Sequence, residues 1–188
     1  MSNHQKPIVA VFCGSKGGEN PQFLADAAEL GNLLANNGFE IVYGGSSLGL
    51  MGAVAKNAIN AGGRVTGVLP EVLVSREPEF KELTHFIVVQ DMHVRKKTMY
   101  EMCTAAIILP GGFGTLDELF EMLTWNQLSI HDKKIFILNT AGFYNHLINH
   151  LETLESTGFL YDPIWTRLSH FEKPSDLVEA IRQELGAV

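Results

Sequence analysis

AAIILPGGFGTLDELFEMLTWNQL, residues 105–128, opens as a short apolar run, breaks at Pro110-Gly111-Gly112 and continues as an amphipathic stretch of helix length. A buried strand, a glycine turn and a helix succeed one another there without a linker. The same order recurs outward along the chain. IVAVFCG (8–14), FEIVYGG (39–45), RVTGVLP (64–70), HFIVVQ (85–90) and KIFILNT (134–140) read as further strands. Between most of them lie segments of helix length, at 21–37, 49–61, 91–103, 115–130 and 143–157. Continuous apolar strands separated by helices indicate a mostly parallel sheet covered on both faces. The expected class is therefore α/β, doubly wound and Rossmann-like. A last helix, opened by Lys173-Pro174-Ser175-Asp176, is expected to pack on the sheet's edge. With no linker, repeat or low-complexity tract in view, residues 1–188 read as one domain.

Composition narrows the classes of function. With 46% hydrophobic and 19% charged residues the chain has the make-up of a globular domain and not of a disordered one. A net charge of −7 argues against a surface that grips a nucleic-acid polymer through many phosphates. An anionic small ligand would instead need a local device, such as a helix N-terminus or a placed cation. Cys13 and Cys103 are the two cysteines and form no CxxC, so neither a zinc site nor a disulfide framework is indicated. There is no apolar run long enough for a signal-peptide core or a membrane span, and the expected setting is the cytoplasm, away from membranes.

In a doubly wound sheet the ligand lies at the carboxyl ends of the strands. Three strands end there in glycine-rich turns, at 13–18, 44–52 and 110–115. One such turn is commonplace before a helix; three on one edge favour a phosphate-bearing ligand lying across them. The first turn lacks the G-x-G-x-x-G spacing, and the second strand ends in Gly44-Gly45 where a dinucleotide site needs a ribose-binding acid. The second turn has the five-residue glycine spacing of a P-loop, but Leu50-Met51 replaces Lys-Ser/Thr, which disfavours ATP hydrolysis. A monophosphate fits better.

Two groups near the third turn bear chemistry. Thr115-x-x-Glu118 fits a capping box as well as it fits a catalytic carboxylate. On the 91–103 helix, Met92, Arg95, Lys96, Met99 and Cys103 share one face while Lys97 points away. Long stems on such a face can snorkel to solvent; alternatively, both cations meet an anion or a carboxylate in the cleft. In the second case they supply a phosphate clamp, and Glu118 a charge opposing a developing oxocarbenium ion. Asp117 lies about 100° round the helix from Glu118 and is expected to face elsewhere. His146-x-x-x-His150 has metal-binding spacing but lacks an evident third ligand, so no metal is expected.

Pro110-Gly-Gly-Phe-Gly-Thr-Leu-Asp-Glu118 together with Met92-His-Val-Arg95-Lys96 resembles the LOG family, the cytokinin riboside 5′-monophosphate phosphoribohydrolases, often labelled lysine decarboxylase-like. The likeness extends from Cys13-Gly14-Ser15 through Tyr43-Gly44-Gly45 and Leu48-Gly49-Leu50-Met51-Gly52 to Thr124-Trp125 and Gln127-Leu128. It implies hydrolysis of the N-glycosidic bond of a purine nucleoside 5′-monophosphate, releasing base and ribose 5-phosphate, with no cofactor. It puts Arg95 and Glu118 on the catalytic pair. It puts Glu77, Lys96, Gly111, Gly112, Phe113, Gly114, Thr115, Leu116, Asp117 and Thr124 among the substrate contacts, with Gly14, Ser15 and Gly45 beside them. Two residues depart from the family's pattern: Lys16 stands where a serine is expected, and Ser46 where a glycine is. A pyridoxal-dependent decarboxylase would need a Schiff-base lysine, and no lysine here has a recognisable setting for one. The alternative is a non-catalytic carrier of a nucleotide or phosphorylated cofactor on the same fold, which would not need both Arg95 and Glu118.

The 115–130 helix is apolar nearly all round: Leu116, Leu119, Phe120 and Leu123 form one face, with Met122, Trp125 and Leu128 off it. One sheet cannot cover every side, so a second copy of the chain is expected to bury the remainder as a homodimer.

Overall fold

The computed structural model describes residues 6–75 and 80–186. Its strands are β1 (Ile8–Phe12), β2 (Glu40–Tyr43), β3 (Val65–Pro70), β4 (His85–Val89), β5 (Ala105–Ile108), β6 (Lys134–Leu138) and β7 (Leu168–Phe171). The helices are α1 (Pro21–Asn36), α2 (Gly49–Asn60), the single turn α3 (Glu71–Val74), α4 (Met92–Met102), α5 (Phe113–Gln127), α6 (Asn145–Ser156) and α7 (Pro174–Leu185). The strands form one sheet in the order β4-β3-β2-β1-β5-β6-β7, every pair parallel. The doubly wound α/β class read from the alternation is the one observed.

Strand alternation sorts the core into two layers. Val9, Val11, Ile41, Tyr43, Ile107 and Phe136 face α1, α2 and α7, while Ala10, Phe12, Val42, Ile108 and Ile137 face α4, α5 and α6. Chain order reverses at β1, which pairs with β2 on one side and β5 on the other, Val9 opposite both Ile41 and Ala105. That switch point opens a crevice between the turns after β1 and β5, where such folds take ligands.

Two expectations are corrected. LSHF (168–171) is a seventh strand, too short and polar to stand out, and it forms the edge beside β6. Helix α7 packs on that edge against β6 and β7, as expected, and buries Leu177, Val178 and Ile181 in the same layer as α1. Helix α5 starts at Phe113, two residues early, because Gly112 takes the extended N-cap conformation.

Candidate active site

Three turns converge at the crevice through their backbones. The Gly14 amide donates to the Pro110 carbonyl at 3.0 Å, and the Leu50 amide donates to the Gly14 carbonyl at 3.2 Å. Gly49, at φ +55°, lies so close that a Cβ would sit 2.4 Å from the Ser15 carbonyl, which only glycine permits. At Gly111 a Cβ would meet the Thr115 hydroxyl at 2.2 Å. Gly112 and Gly114, by contrast, face open space, and no side chain caps α5. The first amides of that helix are left for an anion, where its dipole favours negative charge.

Glu118, six positions into α5, is buried, so it is not the partner of a capping box: the N-cap is Gly112, and Thr115 already lies inside the helix. Its Oε1 accepts from Arg95 Nη1 at 3.4 Å. Asp91 caps α4 by accepting from the His93 and Val94 amides at 2.8 and 2.9 Å, which fixes the helix that carries Arg95. Arg95 is itself buried; its Nε donates to the Val68 carbonyl at 3.1 Å. The guanidinium also crosses the end of β2 so closely that a Cβ on Gly44 would lie 2.0 Å from Nη2. A separation of 3.4 Å is long for a charge-assisted bond and does not offset burial. Burial therefore pushes the Glu118 carboxyl from 4.5 up to about 7, against the pull of Arg95 and with a further push from Asp117. Burial likewise pushes the neighbouring Cys13 thiol up, holding it neutral.

Lys96 is buried beside this pair, but its ammonium is engaged by Asp117 at 2.9 Å and Glu121 at 2.8 Å. Burial alone would lower its pKa; hydrogen bonds to those two carboxylates leave it raised. Tyr100 joins the group by donating to Glu121 at 2.9 Å. The stems of Arg95 and Lys96 thus do not snorkel, whereas Met92, expected on the same face, is exposed. Asp117 does face away from Glu118, toward Lys96 and solvent.

Gly14, Ser15, Gly111 and Gly112 line a cleft of about 290 Å³ together with Lys16, Phe23, Leu50 and Phe143. Phe113, Gly114, Thr115 and Leu116 form the first turn of α5 beside it. Gly45, at φ +82°, makes the turn that ends β2 against Val68 and Leu69. Thr124 lies apart, nine residues or about 14 Å further along α5, its hydroxyl donating to the Phe120 carbonyl at 2.7 Å. It lines an apolar groove at the far end of α5 with Phe120, Leu123, Gln127 and Leu128. Glu77 lies outside the described residues. Sequence reasoning missed Tyr100 and Glu121, although Lys96–Tyr100 and Asp117–Glu121 each have i,i+4 spacing. It also missed Phe23 and Phe143, which are far apart in sequence and meet edge to face at 5.6 Å.

A buried carboxylate–guanidinium pair and an uncapped helix N-terminus at the switch point of a doubly wound sheet are the features of a fold class that takes phosphorylated small molecules there. Comparison with known proteins gives the family. The family model described as "possible lysine decarboxylase" matches residues 51–181. The cytokinin riboside 5′-monophosphate phosphoribohydrolase LOG1 of Arabidopsis thaliana is 42% identical over 152 residues, covering 81% of this chain and 71% of its own. The probable phosphoribohydrolase LOGL2 of Oryza sativa subsp. japonica is 39% identical over 175 residues, covering 93% and 72%. The chain belongs to this LOG family, whose members named here are phosphoribohydrolases, so the decarboxylase description is not matched by the names of its relatives. Among solved structures, the molybdenum cofactor binding protein of Rippkaea orientalis superposes with a TM-score of 0.73 at 23% identity, covering 97% of this chain and 99% of that one. The molybdenum cofactor carrier protein of Chlamydomonas reinhardtii gives 0.68 at 22%, again over 97% and 99%. Those two likenesses concern the fold.

Proposed function

We propose that this chain hydrolyses the N-glycosidic bond of a purine nucleoside 5′-monophosphate, AMP or an N6-modified cytokinin riboside monophosphate, to free base and ribose 5-phosphate. The observation that carries the reading is the buried Arg95–Glu118 pair beside the open N-terminus of α5. Water forms a bond to C1′ as the C1′–N bond breaks; the bonding pair leaves with the base, which gains one proton as the water loses one, and the sugar passes through a cationic state. A carboxylate held near C1′ is worth more in that transition state than in the ground state. Glu118 in its ionised form opposes the charge and orients the attacking water. Arg95 lowers the pKa of Glu118 and fixes its orientation. With a pKa of about 7, Glu118 is poised to take a proton from the water near neutral pH.

A carrier has no use for a buried ion pair whose desolvation costs several kcal/mol. The deciding experiment incubates the protein with AMP and with isopentenyladenosine 5′-monophosphate beside Glu118→Gln, separating products by chromatography. Free base and ribose 5-phosphate from the wild type, with turnover down at least about 10²-fold in the variant, are expected. Intact nucleotides with binding retained would leave the carrier reading in place.

The same reading includes a homodimer in the cytoplasm, without membrane or nucleic-acid partners. Both cysteines are free and buried, as a reducing compartment allows. Among the described residues no helix is long and apolar enough to cross a membrane, and no three metal-binding side chains cluster. For the dimer the support is the surface of α5. Its buried stripe is Leu119, Met122 and Leu123, whereas Phe120, expected on the same face as Leu119 and Leu123, is exposed and lines an apolar groove with Leu128, Phe159 and Tyr161. A second copy would cover them.

A further inference from the structure

The two cations that the sequence offers as a phosphate clamp are both committed elsewhere. Arg95 is held by Glu118 and the Val68 carbonyl, beneath the turn at Gly44. The Lys96 ammonium sits between Asp117 and Glu121, and its charge is more than matched by theirs. A phosphate arriving at the first turn of α5 thus meets backbone amides but no unspent positive charge from these helices. The protein as a whole, at −7, repels it.

One charged side chain lines the cleft beside Gly111 and Gly112, and it is Lys16. It is exposed and has no ion pair or side-chain hydrogen bond among the described residues. Its backbone is nonetheless held in place. The flanking Gly14 amide bonds to Pro110, a Cβ on Gly49 would collide with the Lys16 amide at 2.6 Å, and a Cβ on Gly17 would touch Leu24 at 3.0 Å. The turn after β1 therefore holds Lys16, exposed, at the wall of the cleft that Gly111 and Gly112 also line, just ahead of the open N-terminus of α5. We infer that Lys16 is a cation that recognises the substrate's 5′-phosphate and strengthens this chain's preference for a nucleotide over the unphosphorylated nucleoside, beyond what the backbone amides of the site supply. This rests on the proposed nucleotide reading but not on hydrolysis. The two halves divide the work by their chemistry: the amides and dipole of α5 orient the phosphate oxygens, and the flexible lysine supplies a compact charge that attracts the dianion. Serine, the residue expected at this position from the family's pattern, has a hydroxyl to offer but no charge.

Two readouts test it. In calorimetry, Lys16→Met should weaken AMP binding about five- to tenfold, as expected for one partly solvated pair with a dianion, and leave adenosine binding alone. Lys16→Arg should restore most of the loss. In turnover, Lys16→Met should raise KM for AMP and the inhibition constant of ribose 5-phosphate by a similar factor, with kcat within about twofold, and both effects should shrink in high salt. AMP binding equal to wild type in Lys16→Met overturns the assignment, as does an equal loss for adenosine. The binding arm holds whether or not the chain is a hydrolase: absent turnover with a Lys16-dependent preference for AMP would refute hydrolysis and keep Lys16.

Discussion

Replacing Glu118 by glutamine should stabilise the protein relative to wild type as pH rises, while removing its activity. The carboxyl moves from 4.5 in the unfolded chain to about 7 in the folded one, because burial outweighs Arg95 at 3.4 Å. A raised value means that the native state holds the proton more tightly than the unfolded state. The stabilisation from that proton is complete below a pH of about 4.5 and is lost as pH rises through about 7. Over the full range this amounts to about 3 kcal/mol, of which roughly 2.5 kcal/mol falls between about pH 5 and pH 8. Glutamine has the same shape and does not titrate. The assay is urea unfolding of both chains at several pH values across that window, taking the difference in unfolding free energy so that every other titration cancels. The wild type should lose roughly 2.5 kcal/mol against Glu118→Gln from the acid to the alkaline end. A difference flat within about 0.5 kcal/mol would refute the burial argument. A difference running in favour of the wild type at high pH would show that Arg95 holds the carboxylate below its ordinary value instead.

Gly44→Ala puts a Cβ 2.0 Å from Arg95 Nη2, so the guanidinium must leave Glu118; turnover should fall at least about tenfold, and wild-type kinetics would mean that the pair is dispensable. Gly31→Ala sets a Cβ 2.2 Å from the Val54 carbonyl where α1 crosses α2, and backbone cannot yield as a side chain does. A loss of about 1–3 kcal/mol should appear as a lower urea midpoint. Leu128→Glu places a charge on the exposed apolar surface at the end of α5 and should convert a sedimenting dimer to a monomer at micromolar concentration. If the wild type itself sediments as a monomer, the second copy is not what covers that surface.

Sequence alone determined the doubly wound sheet, since the alternation of apolar runs with helical segments leaves few other ways to bury both faces. It also picked out Arg95 and Glu118, because periodicity puts the arginine on the apolar face of its helix and the glycine turn lies just before the glutamate. It showed poorly what depends on meetings between distant segments. β7 was invisible because LSHF lacks an apolar pattern and becomes a strand only by pairing with β6. Capping by Glu118 could not be set aside until the helix start was known, and that start is set by the backbone of Gly112. The tertiary structure alone decided how charge is shared. On paper Lys96 is a lysine on the apolar face of a helix and Lys16 a lysine in a glycine turn, but in the fold one meets Asp117 and Glu121 from a neighbouring helix and the other lines an open cleft. Electrostatic energy depends on distance and on exclusion of water, and neither exists until the chain has folded.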